Sequence, residues 1–266
     1  MECSGLNVLI GTNSSGKSSV LQGLLFVGQN FRNAVGLNGC FISMGTLEEN
    51  KCVYSSEKNI MAGFEDSKGN IVEMTLLKKE NNLVLQRSFN PLDIPKSLAE
   101  SYDVSNRMIQ YLSCRRIGAK EVYEKNLALE EAIGVNGEYA IDYLNKKGPE
   151  PIEERLCKGN IDFTLLGQVN WWLYYIAGVQ ISTEDLPGTN LVRASYSMYE
   201  IPEIKPENIG SGISYLVSML IMCLSAPEDS VLVIENPEIH LHPSAQSKVC
   251  EFLYFIAEAG RQIFVE

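Results

Sequence analysis

The run Gly11-Thr12-Asn13-Ser14-Ser15-Gly16-Lys17-Ser18 limits what this chain can become more than any other feature. It satisfies G-x-x-x-x-G-K-[S/T] at every fixed position. Leu6-Asn7-Val8-Leu9-Ile10 stands before it and reads as a short buried strand. Lys17–Gln29 follows, with Val20, Leu21, Leu24, Leu25 and Val27 at helical spacing on an apolar face. The glycines let the backbone curl until consecutive N–H groups point at phosphate oxygens, and the helix adds its positive N-terminal dipole. Lys17 supplies a point charge for the outer phosphates, and the Ser18 hydroxyl is a ligand for Mg²⁺. The competing reading is a Gly/Ser turn that caps a helix; the strand before it and the helix after it argue against that.

The rest of the chain supports an α/β fold. Residues 30–50 are glycine-rich and irregular, with one short strand expected around Cys40–Ser43. Apolar runs at Ile60–Phe64, Ile71–Leu77 and Leu83–Phe89 are separated by the polar turns Asp66–Asn70 and Lys78–Asn82. That spacing predicts an antiparallel β-meander inserted after the first helix, in a subdomain of about residues 50–92. Met108–Ser113 reads as a strand, and Ala128–Asn145 and Asp162–Ala177 as helices of an insertion spanning about residues 126–178. Strands follow at Gly178–Ile181 and Leu191–Tyr199. The last third alternates: helix Ser211–Ser225, strand Ser230–Ile234, helix Ser244–Ala259, strand Gln262–Val265. Alternation of this kind predicts a central, mostly parallel sheet within a single domain, residues 1–266.

Charge and cysteine usage narrow the function classes. The 266 residues carry 33 acids against 22 bases, a formal net charge of -11. Such a chain is not a generic nucleic-acid coat, although a local basic patch remains compatible with it. The densest basic run, Arg115-Arg116 with Lys120 and Lys125, lies beside Tyr111 and Tyr123 and reads as a solvated or salt-bridged face before a nucleic-acid contact. The aromatic block Trp171-Trp172 with Tyr174-Tyr175 reads as core or dimer packing rather than base stacking. Seven scattered cysteines without a C-x-x-C pair fit reduced thiols in a cytoplasmic protein. The chain opens without a signal-peptide pattern, and its longest apolar stretch, Ile213–Ala226, is too short to span a bilayer.

Val231-Leu232-Val233-Ile234-Glu235-Asn236-Pro237-Glu238 is an apolar strand that ends in acid. Beside a phosphate loop, a carboxylate at such a strand end holds the hydration shell of Mg²⁺. Glu235 is placed for this, and Glu238, three residues on, for orienting or activating water. The alternative is a solvated strand end whose acids cap the next helix. His240 and His242 are the only histidines and sit two apart before Pro243. Without a cysteine cluster or an H-E-x-x-H helix they read as part of a loop reaching a subunit interface, not as a metal site.

The pairing of Gly-Thr-Asn-Ser-Ser-Gly-Lys-Ser-Ser with Ile-Glu-Asn-Pro-Glu-Ile-His-Leu-His-Pro resembles the AAA-type ATPases related to ABC, SMC and RecF proteins. It is especially similar to the ATPase domain of the OLD (overcoming lysogenisation defect) group and its relatives in bacterial defence operons. The resemblance implies an ABC-type head, ATP and Mg²⁺ as cofactors, and homodimers whose heads sandwich two nucleotides. It implies nucleotide contacts from Gly11, Asn13, Ser14, Ser15, Gly16, Lys17, Ser18 and Ser19. Metal contacts fall to Ser18 and Glu235, and catalysis to Glu235 and Glu238. By position, Asn208–Ser214 looks like the helix-opening signature that meets the partner's nucleotide, through Gly210, Ser211 and Gly212; a plain glycine-rich N-cap is the other reading.

Three departures stand out. Asn236 occupies the place where transporters and SMC proteins carry the water-activating glutamate, and the signature lacks the wording L-S-G-G-Q. Both ends look trimmed, since resembled proteins have a strand before Met1 and continue past Glu266 into a switch histidine, so slow hydrolysis is expected. The leading expectation is an ATP-driven dimerisation switch acting on a partner effector, in antiviral defence or DNA maintenance. Two alternatives remain: the motor half of a nuclease whose catalytic domain lies elsewhere, and a non-hydrolysing nucleotide sensor.

Overall fold

The computed structural model describes residues 2–50, 59–65, 69–80, 82–89, 107–128, 132–159, 162–199 and 201–266. They fall into two units, Ile10–Ile109 and the chain's first nine residues together with Gln110–Glu266. Strand β1 (Leu6–Val8) belongs to the second and leads directly into the first.

In the unit Ile10–Ile109, helix α1 (Lys17–Gln29) buries Leu21, Leu25, Phe26 and Val27. Val20, expected on the apolar face, is 45% exposed. Gly28 closes the packing, because a Cβ there would lie 2.6 Å from Ile109 Cδ1. The chain then leaves the helix over Asn30, whose side-chain oxygen accepts from the N–H groups of Val35 (2.9 Å) and Gly36 (2.7 Å). Around Cys40–Ser43 there is only an isolated bridge, Asn38 to Ser43, instead of the expected strand. The Asn38 side chain accounts for it: its oxygen accepts from Gly45 N (2.9 Å) and Ser43 Oγ (3.0 Å), which closes a loop rather than extending a ladder. Helix α2 (Leu47–Asn50) is one turn, and Glu49 Oε2 accepts from the N–H and hydroxyl of Thr46 before it, both at 2.8 Å.

The meander consists of β2 (Asn59–Glu65), β3 (Ile71–Lys79) and β4 (Asn82–Arg87), paired antiparallel in that order. Ala62 faces Met74, and Leu76 faces Leu85. Val72, Met74 and Leu76 are buried while their neighbours on β3 are more exposed, the period of a strand with one covered face. Arg87 ties β4 to the end of α1 by donating Nε and Nη2 to Asn30 O, at 3.1 and 2.8 Å. Parts of both predicted turns, residues 66–68 and 81, lie outside the described residues.

In the other unit the central sheet runs β1, β11 (Gln262–Val265), β10 (Val231–Ile234), β5 (Ile109–Leu112), with β5 beginning at the boundary residue. Strands β1 and β10 both pair with β11 in parallel, placing Leu6 and Leu232 opposite Ile263. Every residue of β10 is buried, the mark of a strand covered on both faces. Helix α6 (Pro243–Glu258) makes the crossover from β10 to β11. Helix α5 (Ser211–Leu224) is apolar nearly all round and is buried continuously from Leu216 to Leu224.

A second, antiparallel sheet is centred on β8 (Leu191–Met198), with β7 (Gln180–Asp185) on one edge. β6 (Val122–Glu124) and β9 (Ile201–Ile204) also pair with β8. Neither β6 nor β9 is predicted by the sequence: one has three residues, and the other carries Pro202. The helix expected over Ala128–Asn145 is α3 (Ala140–Lys147) alone. Gly134 and Gly137 hold left-handed φ of 85° and 70°, which stops a helix before Ala140; residues 129–131 lie outside the described set. Helix α4 (Leu165–Ala177) starts three residues later than expected because Thr164 caps it, accepting from Gly167 N at 3.1 Å. Gly178 ends it in a left-handed turn at φ 71°, so β7 begins only at Gln180.

Candidate nucleotide site and the carboxyl end of the sheet

The loop ahead of α1 is bent where the motif requires it. Ser14 and Gly16 have φ of 63° and 94°, and Ser15 N donates to Thr12 O at 3.3 Å, which closes the turn. A Cβ on Gly11 would sit 2.7 Å from Ser15 Oγ, so that glycine gives the loop its tightness. Residues 11–16, Asn13 and Ser14 among them, are exposed, as is Ser19, while Lys17 and Ser18 are half-buried. Helix α1 has no side-chain cap at Gly16 and no acid in its first turn. The positive end of its dipole is therefore met there by neither a capping side chain nor an acid. Lys17 Nζ donates to the carbonyls of Gly11 (3.1 Å) and Thr12 (3.0 Å), which holds the ammonium against the loop that it serves.

In the other unit, Glu235 leaves the buried end of β10 and is clamped at both carboxylate oxygens. Tyr111 Oη donates to Oε1 and Cys114 N donates to Oε2, each at 2.9 Å. The backbone beneath is pinned as well: Glu235 N donates to Leu112 O (3.0 Å) and Asn236 N to Glu266 O (2.8 Å). Arg116 reaches the same stretch, donating Nη1 to Asn236 O at 3.1 Å and Nη2 to Glu235 O. Burial pushes the Arg116 guanidinium down to about 10, so it remains charged at neutral pH, with Glu238 the largest opposing influence. Burial, reinforced by the Glu235 carboxylate, raises the Tyr111 hydroxyl and the Cys114 thiol above their ordinary ranges, which keeps both protonated.

Asn236 has a structural reason to be where it is. Its φ is 43°, a left-handed value that asparagine tolerates better than most residues. Glu238 is exposed. His242 Nδ1 accepts from Ser244 N at 3.3 Å and so caps α6. His240, at φ 60°, lies against the Tyr215 ring with centroids 5.6 Å apart.

Gly210 and Ser211, at the start of α5, are exposed, whereas Gly212 is buried. A Cβ on Gly212 would fall 2.5 Å from His240 O, so this glycine is explained by the close approach of the His240–Leu241 backbone. Together these segments line an open cleft of about 950 Å³, whose far wall is Trp171, Tyr174 and Tyr175 of α4. The aromatic block therefore has two jobs. Trp172 packs into the core on Phe252 and Phe255, at 5.0 and 5.3 Å, while Tyr174 stays 53% exposed in the cleft.

Tyr111, Cys114 and Arg116, which surround the candidate Glu235, are residues that sequence reasoning did not connect with it. Arg116, expected on a solvated or salt-bridged face, is instead 5% exposed and bonded to carbonyls. The available signal was the second apolar strand ending in polar residues, Met108–Ser113 before Cys114-Arg115-Arg116, a pattern that matches the end of β10.

Residues 177–266 match the family described as AAA ATPase domain, a stretch that includes Gly210–Gly212, Glu235 and Glu238. No curated protein matches the chain. Among solved structures it is similar to the SMC head bound to the C-winged helix domain of ScpA, at 12% identity and TM-score 0.58, over 100% of this chain and 82% of that one. It is also similar to the SMC head domain from Thermotoga maritima, at 12% identity and TM-score 0.45, over 100% of this chain and 81% of that one. The first of these likenesses shows the fold: a mixed α/β chain built like an SMC head domain.

Proposed function

We propose that this chain binds Mg²⁺-ATP through Gly11–Ser19 and hydrolyses it, and that the bound nucleotide joins two heads. The observation that carries the reading is the uncapped N-terminus of α1 behind a bent loop whose Lys17 ammonium is already held at its carbonyls. Ser18 and Glu235 supply hard oxygen donors of the type magnesium takes. Each Glu235 oxygen accepts one hydrogen bond and keeps a further lone pair, so the carboxylate fits this duty. Bound magnesium would neutralise charge on the outer phosphates. Exposed Glu238 is the group assigned to water.

The dimer reading rests on the cleft. Exposed aromatic rings beside Gly210 and Gly212 have the composition of a protein–protein contact. The fold match to an SMC head and the AAA ATPase match support the nucleotide reading. Placement in bacterial defence or DNA maintenance, as an OLD-like protein acting on an effector in the cytoplasm, is supported by the resemblance of the two motifs. The single domain 1–266, with its meander and helical insertion, is likewise part of the proposal.

Fluorescent ATP titrated onto the parent and the Lys17→Ala variant tests the site. The variant should lose binding by about 100-fold or more, the scale of a charged phosphate contact removed together with its hydrogen bonds. Equal affinity for the two proteins would refute the assignment.

A second reading, a nucleotide sensor that does not hydrolyse, is favoured by Asn236 and its left-handed backbone. Phosphate release at saturating Mg²⁺-ATP decides between them: turnover that disappears in Glu238→Gln supports hydrolysis, and its complete absence in the parent supports the sensor.

A further inference from the structure

We infer that Tyr111 is a positioning residue, whose hydroxyl holds the Glu235 carboxylate in the orientation that receives a divalent cation. This rests on the assignment of Glu235 to Mg²⁺ in the proposed function and adds a residue that neither sequence motif contains.

The two parts of Glu235 are restrained very differently. Its main chain is over-determined, with its own N–H on Leu112 O, its carbonyl on Arg116, and the next N–H on Glu266 O. Its side chain accepts from Tyr111 Oη and Cys114 N among the described residues, with the Cys114 thiol also beside it. A free glutamate side chain loses on the order of 1–2 kcal/mol of rotamer entropy when it is ordered. Here that ordering is done by Tyr111 and Cys114.

The geometry also assigns the direction of help. A tyrosine hydroxyl has one proton, and Tyr111 gives it to Oε1; the hydroxyl is therefore not positioned to protonate anything else. Both donors approach from β5 and the turn after it, Tyr111 within the strand and Cys114 two residues past its end. They take one lone pair from each oxygen and leave the others for a metal or its water. Groups that orient a metal-holding side chain in this way commonly change metal affinity by about 10- to 100-fold when removed.

Tyr111→Phe keeps the ring and deletes only the donor. Binding of a fluorescent ATP analogue is measured in EDTA and across a MgCl₂ titration, and Mn²⁺ uptake by the nucleotide-bound protein is followed by electron paramagnetic resonance. The expected result is an increase of about tenfold in the half-saturating Mg²⁺ and Mn²⁺ concentrations. Affinity in EDTA should stay within about twofold of the parent, because no hydrogen bond to the nucleotide itself is lost. Glu235→Gln and the double variant complete a cycle, in which Tyr111→Phe should add nothing once the carboxylate is gone. A parent-like metal dependence in Tyr111→Phe, while Glu235→Gln shifts, overturns the role of Tyr111 alone. An unshifted Glu235→Gln overturns the magnesium assignment and this inference with it. Equal loss in EDTA and in Mg²⁺, or additive losses in the double variant, shows a merely structural tyrosine and also overturns the inference.

Discussion

The two ends of the parallel sheet each bury an arginine, and they use it differently. Arg261 stands just before β11 and is 2% exposed, while Arg116 lies at the opposite edge, past the end of β10, and is 5% exposed. Arg261 donates to Ala226 O through Nε (3.2 Å) and Nη2 (2.8 Å), and to Ala259 O at 2.5 Å. Its charge is met by Glu153 at 2.6 Å. Arg116 likewise bonds main-chain carbonyls, those of Glu235 and Asn236, but takes no carboxylate in a salt bridge among the described residues. The nearby carboxylate, Glu235, is given to Tyr111 and Cys114 instead. One end spends its acid on neutralising an arginine; the other uses its arginine to hold a backbone and keeps its acid in reserve. The closed ion pair belongs to the fold, and the carboxylate held by neutral donors is the one proposed for magnesium.

Substitutions can break this contrast. Arg261→Leu should have the largest effect on stability, about 3–5 kcal/mol, because it strands Glu153 and two carbonyls. Chemical denaturation would measure it, and nucleotide affinity per folded molecule should be unchanged. Arg116→Leu should cost less, about 2–3 kcal/mol for two orphaned carbonyls, and should also weaken Mg²⁺-dependent nucleotide binding. Equal binding by Arg116→Leu and its parent would erase the distinction between the two ends.

Two neutralised acids sharpen it. Glu153→Gln should lose about 1 kcal/mol of stability and leave binding intact, whereas Glu235→Gln should shift stability by less than that and weaken binding in Mg²⁺. The same phenotype from both would mean that the acids are equivalent. The smallest effect on stability is expected at Ser211, between the cleft-lining Gly210 and Gly212. Ser211→Arg, at an exposed position, should stay within about 0.5 kcal/mol of the parent yet abolish any ATP-dependent rise in mass seen by light scattering. Gly212→Arg is the wrong probe, since its side chain would enter the His240 backbone and destabilise the monomer.

Much of the fold was legible because the signals were local. The bend before α1, the alternation along β3 and the solid apolar run of β10 each depend on residues within one turn or one strand of each other. Strands β6 and β9 were not legible, since a three-residue run and a four-residue run with a proline acquire strand geometry only by pairing with β8. Helix α3 was overestimated because Gly134 and Gly137 read as tolerated helix residues until their φ values are known.

The sequence by itself determined where a loop of glycine, lysine and serine meets a helix and where an apolar strand ends in glutamate, because these signals are local, and the proposal for phosphate and magnesium starts from them. Only the tertiary structure decided how Glu235 is held. Tyr111, Cys114 and Arg116 lie 119 to 124 positions from the residues they bond, and no local pattern encodes a partner so distant. That arrangement follows from β5 and β10 lying side by side in one sheet, where hydrogen bonding between strands brings their ends together.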